Sequence, residues 1–146
     1  DEKDNYQYFC HKYTVSNKLK KDLSFTAKNY ILFKEEKNYF KKDLKKNVYK
    51  LGKDNIKKLL GFIYCAETKF STKLFNNIIE EINKIDIPIF PFNGQFLIDQ
   101  GLLDGKKIGK ALKELEEEWI QKDFDLKAKE VISIVDKVKK LNILNI

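Results

Sequence analysis

Asp123-Phe124-Asp125 places two carboxylates one residue apart. Many nucleotidyl-transferring enzymes use that spacing to hold two magnesium ions. The use requires a strand to aim both side chains the same way, and usually a third carboxylate. Here the triplet falls between two helical patterns, where aspartate is a common cap, and capping is the reading adopted. His11, the single histidine, stands beside Cys10. A zinc site needs about four ligands in paired spacing, which this chain cannot supply, so His11 reads as an incidental surface residue. A Cys–His nucleophilic pair would lack an orienting third group. Cys65 lies within a helical apolar pattern and reads as a small core residue. There is no Gly-Lys-Ser/Thr phosphate loop and no Gly-x-Gly-x-x-Gly after a strand. No catalytic and no metal-ligating residue is assigned, and no activity is expected of the chain alone.

Two segments carry binding chemistry instead. In Gly101-Leu102-Leu103-Asp104-Gly105-Lys106-Lys107 a tight turn leads into a helix. Free amides at Gly105, Lys106 and Lys107, at the positive end of the helix dipole, can hold a phosphate, and two lysines reinforce them. A packed helical hairpin without a ligand is the alternative. Upstream, Lys41, Lys42, Lys45 and Lys46 recur at i and i+4. On a helix they form one basic face, which Lys34, Lys37 and Lys50 extend.

The 146 residues hold 29 basic side chains, all of them Lys, and the net charge is +7. Residues 1–66 contain 16 Lys and 8 acidic residues, whereas residues 67–146 contain 13 and 14. The positive charge belongs to the N-terminal half, as expected for contact with a polyanion; a solvated Lys-rich surface is the bland alternative. Lysine is a point charge suited to phosphate, while arginine supplies the fork that reads guanine edges. Nucleic-acid binding by this chain is therefore expected to follow the backbone rather than the sequence. Many Asn and Ile with no Arg suggest an AT-rich bacterial genome. The absence of Met suggests an excised fragment or removal of a start residue. Two scattered cysteines make no disulfide framework, and the expected setting is a reducing cytoplasm. No apolar run reaches the length of a membrane span.

The elements that must position these residues read as helices. Residues 1–15 show no clear period and form a linker or the remnant of a preceding neck element. Residues 16–146 are read as one helical domain. Ser16 caps a helix over 17–33 with Leu19, Leu23, Ala27, Tyr30 and Ile31 on its inner face. A helix over 35–47 follows and carries the lysines, with Gly52 as a stop. Asp54 caps a third helix to about Glu67, and Ser71 opens a fourth that ends before Pro88. After an extended segment, 87–92, come a short helix at 94–100, a strong one at 106–122 with Ile108, Leu112, Leu115 and Trp119 in one stripe, and a last one at 127–141. That last helix would bury Val131, Ile134, Val135, Val138 and Leu141. Gly109 inside the strong helix predicts close approach of another backbone. The expected class is all-α, an array of about six to seven helices with short connections.

Phe90 to Trp119 resembles the C-terminal region of bacterial-type CCA-adding tRNA nucleotidyltransferases and their poly(A) polymerase relatives. That family's approximate pattern is Phe-Pro-x-x-Gly-x-Asp-Leu, a glycine, Gly-x-x-x-Gly, Leu-x-x-Leu and a Trp. Phe90, Pro91, Gly94, Leu97, Gly101, Gly105, Gly109, Leu112, Leu115 and Trp119 match it. Glu116 to Phe124 is similar to the usual end of that helix. Val15-Ser16-Asn17 and Val48-Tyr49-Lys50-Leu51-Gly52 are similar to upstream pieces, so the resemblance covers roughly residues 15 to 130. Phe96 stands where the family has Asp, and Lys50 where it has Arg. The catalytic head, with its glycine-rich nucleotide loop and paired metal-binding aspartates, has no counterpart here. Nor is the nucleotide-selecting motif of the neck recognisable.

The resemblance implies a body-and-tail domain that holds tRNA, or another RNA, while a head in the same or another chain adds nucleotides. Magnesium, CTP and ATP would belong to that absent head, and no cofactor to this chain. The residues expected to meet RNA are Lys41, Lys42, Lys45, Lys46, Lys50, Gly105, Lys106 and Lys107. Two other readings stay open. One is a helix–hairpin–helix-like module that grips DNA phosphates. The other is a protein-interaction subunit that docks on a separate head.

Overall fold

Apolar residues at helical spacing, interrupted by Gly52, the two prolines and Gly101, break this chain into short amphipathic helices. The computed structural model describes residues 5–140. Among them are eight helices and no strand: α1 (Asn5–Lys12), α2 (Asn17–Glu35), α3 (Leu44–Leu51), α4 (Lys53–Ala66), α5 (Thr72–Lys84), α6 (Gly94–Asp99), α7 (Gly105–Gln121) and α8 (Ala128–Lys139). The all-α class is as the periodicity predicts. Leu141, expected on the last apolar face, lies outside the described residues. The helices group into two compact units, one ending at Ile87 and the other beginning at Pro88.

In the first unit the core is Tyr39, Phe40, Leu44, Val48, Ile56, Leu59, Leu60, Ile63, Ile78 and Ile82. It is supplied by α3, α4, α5 and the turn before α3. Helix α2 borders this core with Phe25, Tyr30, Leu32 and Phe33. The inner face expected of it holds in part: Tyr30 packs against the core and Leu23, Ala27 and Ile31 are half-buried, but Leu19 is exposed and the one buried residue of α2 is Asn29. The Asn29 amide donates to the Phe25 carbonyl (2.8 Å) and its oxygen accepts, at 3.5 Å, from the Tyr39 hydroxyl. Each partner covers a group whose burial alone would be costly. Residues 5–12, read as linker or remnant, form α1, which packs along α2.

Ser16 and Ser71 cap α2 and α5, their side chains accepting from the amides of Leu19 and Leu74. Asp54 does not cap α4. Gly52, at φ +83°, takes the cap position two residues earlier, and Asp54 lies in the first turn. The Lys53 ammonium crosses to the Asn83 carbonyl near the end of α5 (3.0 Å), where a cation suits the helix dipole.

In the second unit Leu97, Leu102, Ala111, Leu115, Val131, Val135 and Val138 form the core. Trp119 is buried, with Phe90 and Phe124 edge-on to it at 5.4 and 4.9 Å. Asn93 caps α6 by accepting from the Phe96 amide. The end of α6 is held by two bonds, Gly101 N–H to Ile98 O (2.8 Å) and Leu102 N–H to Leu97 O (3.0 Å). They define a Schellman motif with Gly101 at φ +88° and two buried leucines in its apolar contact.

Candidate nucleic-acid interface

The lysine segment differs from its sequence reading in one respect that matters. No helix spans 35–47. Residues 37–43 form successive turns, and α3 begins at Leu44. The reason is burial: Tyr39 and Phe40 are adjacent, and both sink into the core. Consecutive helical residues point about 100° apart, and leaving the helix lets both rings turn inward. Hydrogen bonds from Lys41 N–H to Asn38 O (2.9 Å) and from the Asn47 amide to Tyr39 O (2.9 Å) fix the turn. Lys41 and Lys42 therefore sit exposed on a turn anchored by two buried rings. The single-helix basic face is replaced by a turn plus the outer side of α3.

On α3, Leu44 and Val48 are buried while Lys45 and Lys50 are exposed and Lys46 is half-buried. Lys46 and Lys50 are one helical turn apart, as are Lys45 and Tyr49, so these four share the outer side. All five expected lysines thus lie on ten consecutive residues, among which Leu44 and Val48 belong to the core. Asp43 is the only acidic residue among them. Lys34 does not extend this surface. Its ammonium is 3.3 Å from Glu67 and lies over the Tyr30 ring, and the Tyr30 hydroxyl donates to the same Glu67 carboxylate. That clamp joins α2 to the end of α4. It holds Glu67 below, and Lys34 above, their usual ranges, in both cases through Tyr30 first.

Gly105, Lys106 and Lys107 begin α7 as expected, but their amides are not all available. The Asp104 carboxylate caps the helix and accepts from the Lys107 amide at 3.0 Å. A negative cap opposes a second anion at the same place. The Lys107 ammonium donates to the Lys139 carbonyl at the end of α8 (3.0 Å), a structural task. Gly105 and Gly109 face open space: a methyl group at either would meet nothing within 4 Å. Among the described residues the expected backbone approach at Gly109 is therefore absent. Lys106 remains exposed.

Asp123-Phe124-Asp125 ends a helix rather than beginning one. Phe124 N–H bonds to Trp119 O (2.8 Å) and Asp123 N–H to Ile120 O (3.2 Å), with φ of +68° and +55°. This is a second Schellman motif, with Asp123 in the position that favours glycine. Helix α8 is opened instead by Lys127, whose amide donates to Glu130 (3.0 Å). That bond, with Lys122 beside the same carboxylate, holds Glu130 below the usual range. Among the described residues no group of three or more His, Cys, Asp or Glu is placed to hold a metal ion. Cys65, read as a core residue, is exposed, because Ile56, Leu59, Leu60 and Ile63 use the buried side of α4.

The α1–α2 hairpin, which the sequence reading passed over, carries exposed aromatics beside further lysines. The signal was present: no acidic residue occurs from Asn5 to Lys21, and Lys12, Lys18, Lys20 and Lys21 do.

The chain is thus an all-α protein of two small units with basic surfaces in the first. No helix among its described residues is long and apolar enough to cross a membrane. No protein-family model, no curated protein and no solved structure matches it.

Proposed function

We propose that this chain is a non-catalytic RNA-holding module of the kind that forms the body and tail of CCA-adding or poly(A)-adding nucleotidyltransferases. It acts in the cytoplasm of a bacterium and serves a head domain in the same or another chain. The observation that carries the reading is the lysine-bearing segment from Lys41 to Lys50, whose apolar side chains are locked into the core. Ammonium groups on an ordered scaffold meet phosphates with less loss of freedom than a mobile tail would. The Phe90–Trp119 pattern adds the family resemblance: its Leu97, Leu115 and Trp119 are buried, and its Gly101 makes the left-handed turn that ends α6. Recognition by shape and backbone suits tRNA, whose folded helices expose phosphates and 2′-hydroxyls.

Titration of the intact chain with labelled tRNA over a salt series tests this. Affinity should fall by orders of magnitude between about 50 and 200 mM salt. Charge reversal at Lys41, Lys42, Lys45 and Lys46 together should flatten that dependence. No binding at low salt, or a variant that binds like the parent, rejects the reading. Preference for duplex DNA over tRNA would favour the DNA-gripping module instead.

A further inference from the structure

Helix α1 has no buried residue. Its aromatics Tyr8 and Phe9 are 67% and 42% exposed, and Tyr13 just beyond its end is 58% exposed. Side chains of this size are not usually left so open on one short helix. They are nevertheless ordered. The Phe9 and Tyr13 rings lie 4.9 Å apart, tilted by 43°, and the Lys12 ammonium lies over the rings of Tyr8 and Tyr13, 5.8 and 5.4 Å from their centroids. The Ser24 hydroxyl donates to the Tyr6 hydroxyl (3.3 Å), tying α1 to α2. Between the two helices runs an open groove of about 1210 Å³, lined by Tyr6, Cys10, His11, Lys20, Lys21 and Ser24 among others. From Asn5 to Lys21 there are four lysines and no carboxylate. The nearest acid on α2, Asp22, faces Lys58 at 3.8 Å, and Asp1, Glu2 and Asp4 precede the helix in sequence.

Tyr8, Lys20 and Lys21 line this groove, and Phe9, Lys12 and Tyr13 continue the surface beyond it on and just after α1. Exposed π-faces interleaved with cations suit an unpaired polynucleotide, because every base has a face to stack and every step a phosphate to neutralise. We propose that the α1–α2 hairpin binds single-stranded nucleic acid, with bases stacked on Tyr8, Phe9 and Tyr13 and phosphates held by Lys12, Lys20 and Lys21. The Lys12 contacts lie near the outer limit for a cation over a ring, so an incoming base displaces them and frees the ammonium for phosphate. This goes beyond the tRNA reading of the α3 lysines: the ligand is an unpaired strand and the surface lies on different helices.

The test uses the whole chain and fluorescein-labelled twelve-residue strands of oligo-U, oligo-dT and abasic deoxyribose phosphate, followed by anisotropy. Binding of either base-bearing strand, at least about ten-fold tighter than the abasic one, is expected, since each stacked base contributes severalfold or more. Changing Tyr8, Phe9 and Tyr13 together to Ala should remove most of that difference. Changing Lys41, Lys42, Lys45 and Lys46 to Glu should still leave the base-bearing strands bound at least ten-fold tighter than the abasic one. Equal affinity for the abasic and base-bearing strands overturns the proposal without any variant. So does an intact base preference in the folded aromatic triple variant, its helicity checked by circular dichroism. If tRNA binding fails but the base preference stands, the α3 reading alone is rejected.

Discussion

Tyr39 anchors the turn that presents Lys41 and Lys42, and its ionisation should unfasten the first unit. The ring is 2% exposed, and its hydroxyl faces the buried Asn29. Burial first, and the Glu36 charge second, push its pKa up from 10.0 to about 12. A group whose folded pKa is raised gives its full stability below the unfolded value and loses it as pH rises through the folded one. Below pH 10 the phenol is neutral in both states. Between pH 10 and about 12 only the unfolded chain releases the proton. Two units at about 1.36 kcal/mol each correspond to about 2.7 kcal/mol, lost progressively as pH rises from 10 through about 12.

Tyr39→Phe cannot ionise, and at neutral pH it gives up only a long hydrogen bond, about 0.5–1.5 kcal/mol. Denaturant unfolding of both proteins, followed by circular dichroism from pH 8 to 12, should show the variant less stable at pH 8 and the parent falling more steeply. The two curves should then meet or cross as Tyr39 ionises. The many lysines titrate in both and cancel in the difference. Trp119 belongs to the second unit, so its fluorescence reports separately on that unit. Parallel stability curves for the two proteins would refute the argument that Tyr39 is held neutral by burial.

The glycines and their surrogates make a paired test by thermal melting. Gly109→Ala should stabilise the second unit by about 0.5–1 kcal/mol, because the site is helical and open. Gly101→Ala should cost about 1–2 kcal/mol, because φ is +88°. Asp123→Gly relieves the same strain and should stabilise by about 1 kcal/mol; a loss would mean that its side chain matters more than its backbone. Leu115→Ala should lower the unfolding free energy read by Trp119 by about 2–5 kcal/mol, since Leu115 is fully buried. Glu67→Gln should make acid unfolding less steep. The lowered Glu67 pKa gives stability above the unfolded value near 4.5 that disappears as pH falls through the folded value.

Helical class, most helix positions and the second core were legible because each rests on local information. Ser16 and Ser71 announce helix starts, Gly52 and Gly101 announce stops, and the stripe Ile108, Leu112, Leu115 and Trp119 faces inward at a period that any helix must share. Three things were decided only by tertiary contacts. Adjacent Tyr39 and Phe40 both enter the core, which breaks the expected lysine helix. Asp104 and Lys139 claim the Lys107 amide and ammonium, which withdraws part of the expected phosphate cradle. The α2 face turned to the core carries Phe25, Asn29 and Phe33, although Leu19 and Leu23 look equally apolar in sequence. Periodicity states which residues share a side of a helix. It does not state which side a neighbour covers, nor which charge already has a partner, and those choices belong to the packed chain.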